Sequence, residues 1–259
     1  MKKKIKDIIN KAGIEDVGFC AFKLVEDKLL NCSARSRIPE NAKTVIICLF
    51  PYKVKEEKPQ FISRYAAVPD YHTVVTHYLS KVCTELHKHI DGYQFEYFVD
   101  NSPVPEVYAA AAAGLGVVGK NGLLINKKYG SFVFIGEIVT DLEIECDNEI
   151  KYCPDCGLCQ NVCPVGLNKN ECLSKISQQK GELEKEKMLE LKSNEIIWGC
   201  DICAEVCPLN KGAEITYIPE FLKGYRNEYK IGEDKTERAY AWRGEKPIER
   251  NYYNLIGEE

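Results

Sequence analysis

The sequence predicts a mixed domain, α+β or α/β, followed by a cysteine-rich module, and three observations predict it. Strand-like apolar runs alternate with helical patterns through roughly the first 145 residues. Eight of the 13 cysteines crowd between Cys153 and Cys207. The last stretch mixes basic and aromatic residues without clear periodicity. The chain accordingly divides into an α/β domain at 1–148, a cysteine module at 149–212, and a tail at 213–259 packing back on the body.

Each element has its own signal. Lys2–Lys11 carries apolar residues at helical spacing, and Asp16–Phe22 reads as a strand. A short helix is expected near Glu26–Leu30. The run Thr44–Phe50 reads as a strand closed by Pro51, then a long helix covers Tyr71–Ile90 and a strand Tyr93–Val99. Pro103 and Pro105 open an alanine-rich helix, Glu106–Ala113, and residues 114–122 form a glycine-rich turn. Leu123–Asn126 and Phe132–Val139 read as a hairpin around Lys127–Gly130. Beyond Lys151 come cysteine-spaced loops and short helices, with the charged segment 181–193 as a solvated helix face.

With 259 residues, 45% hydrophobic, the chain can bury a substantial core. The opening MKKKIKDIINKAGIEDVGF starts basic, but polar residues interrupt it, so no signal-peptide core follows. No apolar stretch approaches the ~18 residues of a membrane helix. A cytoplasmic monomer without a membrane partner is expected. The formal net charge of −4 argues against nucleic-acid binding over the whole surface, though not against a local basic face.

Clustered thiols in a chain this large indicate metal or cofactor rather than disulfides. Cys153-Pro-Asp-Cys156-Gly-Leu-Cys159-Gln-Asn-Val-Cys163-Pro164 is the bacterial ferredoxin run C-x2-C-x2-C-x3-C-P. Two-residue gaps let three thiolates reach one iron–sulfur cube from a single loop, and the cysteine before proline turns toward a second. A second, incomplete half follows as Cys200-Asp-Ile-Cys203-Ala-Glu-Val-Cys207-Pro208, with Cys172 the nearest spare thiol. Crossover pairing then gives Cys153, Cys156, Cys159 and Cys207 to one 4Fe–4S cluster, and Cys163, Cys172, Cys200 and Cys203 to the other. Zinc also uses C-x2-C pairs, but it has no need of the C-x3-C-P ending twice. Cys20, Cys32, Cys48, Cys83 and Cys146 are scattered in apolar or helical settings and read as small core residues.

Gly114-Leu-Gly116-Val-Val-Gly119 matches G-x-G-x-x-G, yet a helix precedes it and a strand follows, the reverse of a dinucleotide-binding turn. A nicotinamide cofactor is rejected on that order. Glycines permit close backbone approach, with Lys120 and Asn121 at the rim. Asp100 leaves a strand just before the helix leading to this turn, and is the candidate acid; the competing reading is a turn-capping aspartate. Asp70 and His72, at the start of the long helix, are equally readable as a helix cap and an ordinary histidine.

In order, RYAAVPDYH (Arg64–His72), VDNSPVPE (Val99–Glu106), AGLGVVGKNGLLIN (Ala113–Asn126), GSFVFIGEIVTD (Gly130–Asp141), the ferredoxin run and GCDICAEVCPLN (Gly199–Asn210) resemble the epoxyqueuosine reductases. The resemblance implies a nitroreductase- or dehalogenase-like α/β domain binding cobalamin base-off, followed by a ferredoxin-like module with two 4Fe–4S clusters. It implies reduction of epoxyqueuosine to queuosine in a tRNA anticodon loop, Asp100 as the proton donor, and an unidentified low-potential donor such as flavodoxin or ferredoxin. Cofactor contacts fall, by the same resemblance, on Asp100, Tyr71, His72, Gly116, Gly119, Lys120 and Asn121. The sequence lacks the D-x-H-x-x-G corrinoid motif, because no glycine follows Asp70-Tyr71-His72 at the required place, which agrees with base-off binding.

Three departures stand out. Val107 replaces the family's usual arginine, Val117 its usual tryptophan, and the chain stops where longer members carry a helical-repeat domain that grips tRNA. A short form is expected, with the basic-aromatic tail as a substitute grip. Two other classes remain open, a cobalamin and iron–sulfur reductase of a small molecule, dehalogenase-like, and a plain ferredoxin-type electron carrier.

Overall fold

A computed structural model describes residues 1–146 and 149–257. Residue 148, the expected end of the first domain, lies outside them. The chain separates into two compact units, Met1–Pro51 with Tyr71–Asp155, and Tyr52–Asp70 with Cys156–Glu259.

The first unit is built on a four-stranded sheet. Its strands are β1 (Asp16–Ala21), β2 (Thr44–Pro51), β3 (Phe95–Val99) and, after the short β4 (Val117–Val118) and β5 (Leu124–Ile125), β6 (Val133–Thr140). The order is β1-β2-β6-β3 and every pairing is antiparallel, so of the two expected classes the sheet is of the α+β kind. Thr44–Pro51 is buried along its whole length, as a central strand covered on both faces requires. Pro51 does not close the strand but stays in register opposite Val133.

Three helices cover the sheet: α1 (Lys2–Lys11), α2 (Tyr71–His89) and α3 (Glu106–Ala112). Ile5 and Ile9 fix the buried side of α1, and Gly13, at φ 93°, ends it in a left-handed turn. Ala109 to Ala112 are all buried, because α3 sits close against the sheet. Gly18 on β1 permits this approach: a Cβ there would stand 2.5 Å from the Ala113 carbonyl oxygen. On the opposite face, Gly136 of β6 meets Val75 and Leu79 of α2.

The expected hairpin around Lys127–Gly130 is not formed by those strands. β5 pairs with β4, while β6 pairs with β2 and β3; an isolated bridge, Asn126 to Gly130, closes the turn, with Asn126 Oδ1 accepting from the N–H groups of Lys128 and Tyr129. Gly116 explains the switch, since its backbone packs so tightly on Ile125 that an added Cβ would lie 2.5 Å from the Ile125 carbonyl oxygen.

The second unit contains α4 (Leu158–Val162), α5 (Leu173–Ser177), α6 (Lys185–Ser193), α7 (Ile202–Glu205), α8 (Pro219–Lys223) and α9 (Glu245–Ile256). Its core gathers Ile62, Ala66, Ala67, Ile197, Trp198, Tyr229, Tyr240 and Ile248. The aromatic residues of the C-terminal stretch are therefore largely structural: Tyr229 and Tyr240 are buried, and Asn251 of α9 donates to the carbonyls of Ser177 and Ile197, both at 2.8 Å. Trp242 remains exposed, stacked on the Arg243 guanidinium at 3.7 Å. No helix among the described residues is long and apolar enough to cross a membrane.

Candidate functional site

Asp100 sits at the corner between β3 and α3. Its φ of 58° lies in the left-handed region, which a short polar side chain tolerates better than most. Two backbone bonds tighten this corner: Asn101 N–H to the Val99 carbonyl and Ser102 N–H to the Asp100 carbonyl, both 2.7 Å. Strain of this sort clusters where a side chain must be aimed.

The Asp100 carboxyl is half exposed, at 49%, and α2 supplies its partners. Tyr71 Oη donates to Oδ1 at 2.6 Å, and His72 Nε2 lies 3.3 Å from Oδ2. Tyr71 is itself clamped, stacked between His72 and the Phe134 ring of β6 with centroids 4.1 and 4.3 Å away. The structure thus brings Asp100, Tyr71 and His72 together, and the capping reading of Asp100 gives way to a shaped carboxyl site. Because Tyr71 occupies Oδ1 as a donor, a proton carried by Asp100 belongs on Oδ2.

Two further carboxyls lie behind Asp100, and sequence reasoning gave neither a role. Glu106 opens α3; burial pushes its carboxyl well above the ordinary range, the Asp100 charge adds to this, and a bond from the Asp100 backbone N–H opposes it. Glu137, in the middle of β6, is fully buried, opposite Ile47 and Phe98 in the ladder. Burial, and then Glu106, pushes it well above the carboxylate range. Ser102 comes close enough to favour the anion, yet among the described residues neither Glu137 oxygen has a bond of proper geometry, nor does Glu106 Oε1.

The glycine turn behaves differently. Gly116 packs on Ile125, and a Cβ at Gly119 would stand 2.4 Å from Asn121 Oδ1, so the chain itself explains both glycines. Lys120 turns toward the start of the cysteine run: its backbone N–H donates to Cys153 Sγ at 3.3 Å and its Nζ pairs with Asp155 at 2.7 Å. Asn121 Oδ1 accepts from the Leu123 N–H. Val107 is half-buried against the apolar cluster under α3.

In the second unit, α4 and α7 pack on each other and each leads to a Cys-Pro corner. Cys163 and Cys207 share one backbone conformation, φ −69° and ψ 121°, so the two C-x3-C-P endings are geometric copies. A cleft of about 510 Å³ opens beside them, lined in part by Val162, Cys200, Ile202 and Val206. None of the eight cysteines of the run and its second half is fully buried. Cys20, Cys48 and Cys83 are, and burial pushes the thiols of Cys20 and Cys83 up to about 12, as expected for inert core residues; Cys32 and Cys146 are half-buried. Among the described residues no three His, Cys, Asp or Glu side chains converge into a ready metal group, so both ligand sets rest on spacing and on the twin corners.

Arg64 braces this unit. Its backbone N–H donates to Asp201, between the cysteines of the second half, and its guanidinium binds Glu205 and the carbonyls of Lys55, Glu56 and Glu57.

Comparison with known proteins gives a consistent result. Residues 34–101 match the family model described as Epoxyqueuosine reductase QueG, DUF1730. An epoxyqueuosine reductase of Lactococcus garvieae is 36% identical, with 84% of this chain and 70% of the relative covered. Other curated epoxyqueuosine reductases are spanned over 47% to 66% of their length. The solved structure of epoxyqueuosine reductase from Streptococcus thermophilus superposes with a TM-score of 0.80 at 28% identity, covering 99% of this chain and 80% of that one. An epoxyqueuosine reductase solved with an epoxyqueuosine-modified tRNA-Tyr stem loop shares the fold, with a TM-score of 0.81 at 24% identity over 98% of this chain and 80% of that one. By sequence and by fold, the chain belongs to the epoxyqueuosine reductase family.

Proposed function

We propose that this chain reduces the epoxide of epoxyqueuosine, at the wobble position of a tRNA, to the alkene of queuosine with loss of water. The observation that carries the reading is Asp100, held on left-handed backbone with Tyr71 and His72 as partners, in a member of this family. The reaction consumes two electrons and two protons, and a departing oxygen needs an acid beside it. Asp100 is that acid: Tyr71 fixes Oδ1, and Oδ2 carries the proton. The substrate covers its exposed side and excludes water.

Cobalamin and iron–sulfur clusters belong to the same reading. His72 is engaged with Asp100, which suits a corrinoid bound base-off without a histidine from below. Tyr71, His72, Gly116, Gly119, Lys120 and Asn121 are the proposed residues on its side of the site, the two glycines by family likeness alone. Cys153, Cys156, Cys159 and Cys207 hold one 4Fe–4S cluster and Cys163, Cys172, Cys200 and Cys203 the other. The cofactors supply low-potential electrons and cobalt chemistry; the chain supplies position and the proton. A low-potential flavodoxin or ferredoxin feeds the clusters, and the protein works as a cytoplasmic monomer.

The test is anaerobic reconstitution with iron, sulfide and cobalamin, followed by a strong reductant and epoxyqueuosine-containing tRNA, with queuosine quantified by mass spectrometry of the nucleosides. Cobalamin-dependent queuosine is expected. No product despite full iron and bound corrinoid would shift the reading to a small-molecule reductase.

A further inference from the structure

We infer that Glu106 and Glu137 form a buried proton store that reloads Asp100 during the reaction, an inference that rests on the proposed reduction. Its ground is the placement of three carboxyls. Asp100 stands at the surface end, Glu106 holds its backbone N–H, and Glu137 lies deepest, fully enclosed on the strand behind. Among the described residues, both oxygens of Glu137 and one of Glu106 have no bonded partner. A carboxylate so enclosed, without a cation, is costly, whereas the neutral acid is not. The groups facing the pair are Asp100 from the corner, His72 from α2 and Cys48 from β2, and none is a fixed positive charge.

The proton count gives the store its use. Reduction of the epoxide takes two protons, and Asp100 carries one. Once the substrate covers its half-exposed side, a second proton must come from within. Asp100 transfers its proton to the departing oxygen and is left as carboxylate. Glu106 then passes its proton to Asp100, which gives it in turn to the same oxygen so that it leaves as water; Asp100 ends as carboxylate, and the Glu106–Glu137 pair, sharing the remaining proton, holds a single negative charge until solvent restores all three after release. No electron moves in these steps.

Glu106→Gln and Glu137→Gln keep the shape of a neutral acid and remove its transferable proton. The first readout is infrared detection of the protonated carboxyl carbonyl band in reconstituted protein, independent of turnover. The wild type should show the band at pH 7, losing it as the pH is raised, and each variant should reduce it. The second readout is queuosine formation: both variants should fall about a hundredfold in kcat, with KM for the tRNA unchanged and the alkaline limb of the pH profile altered. A purely structural role would instead move the melting temperature or KM. Absence of the band in the wild type overturns the store, active enzyme or not. A clear band with full turnover in both variants overturns the relay. A wild type that carries the band yet never forms queuosine sinks the reaction assigned above, and the relay with it.

Discussion

Replacing Asp100 by asparagine removes the proton and leaves the corner intact. At φ 58°, alanine would add a backbone cost of about 1–2 kcal/mol, whereas asparagine tolerates this region much as aspartate does. The amide oxygen of the substituted side chain would keep the Tyr71 hydroxyl as donor, now 2.6 Å from Oδ1. What disappears is the acid. Positioned acids contribute about 10²–10⁴-fold, or about 3–5 kcal/mol of barrier at ~1.36 kcal/mol per decade. Queuosine formation by reconstituted Asp100→Asn should fall by that factor, while melting temperature and iron content stay at wild-type values. Turnover at the wild-type rate would remove Asp100 from proton transfer. An early-melting variant would show that the carboxylate is structural.

Further outcomes test other parts. Gly18→Ala drives a Cβ to 2.5 Å from the Ala113 carbonyl oxygen, and should cost about 1–3 kcal/mol by denaturant unfolding. Arg64→Met strands the carbonyls of Lys55, Glu56 and Glu57 together with Glu205. Its cost should be about 3 kcal/mol, the low end for a broken buried pair, because Glu205 is 34% exposed; thermal melting checks it. Cys153→Ala should lose one cluster's share of iron on reconstitution, with weakened folding around it, and an unchanged iron content would overturn the ligand assignment. Glu137 has a folded pKa above its unfolded value, so the native state retains a proton that the unfolded chain releases. Wild-type stability should therefore decline as pH rises above the ordinary glutamate range toward the folded value. Glu137→Gln should show a shallower decline, measured by melts across pH, and parallel curves would contradict a buried neutral acid.

The elements of the first unit were legible where periodicity is local. Lys2–Lys11 and Glu106–Ala112 fall within a residue of expectation because each buries a helical face. The hairpin failed because β6 takes its partners from β2 and β3, far away in sequence, and β5 is only two residues long. The membership of Tyr52–Asp70 in the second unit was invisible for the same reason: Arg64 meets Asp201 and Glu205 at separations of 137 and 141 residues. Basic and aromatic residues in the tail suggested a surface that grips RNA, but composition alone does not distinguish an exposed tyrosine from Tyr229 or Tyr240, which fill a core.

The site was legible where its chemistry is written as spacing. The cysteine run needs its thiolates within one loop, and so appears intact in the sequence. The carboxyl store is assembled from β6 and α3, and no spacing encodes it. One signal was nevertheless present. In VFIGEIVT a single glutamate interrupts a strand whose neighbours are apolar and covered, and such a conflict between local residue and environment marks function more often than error. Leucine at 137 would fill the same space against Ile47 and Phe98 without stranding two oxygens. Stability therefore gives no reason for a carboxyl there. Its place beside Glu106, which in turn accepts from the Asp100 backbone N–H, does, because a neutral acid behind a working one is of use when protons move between them.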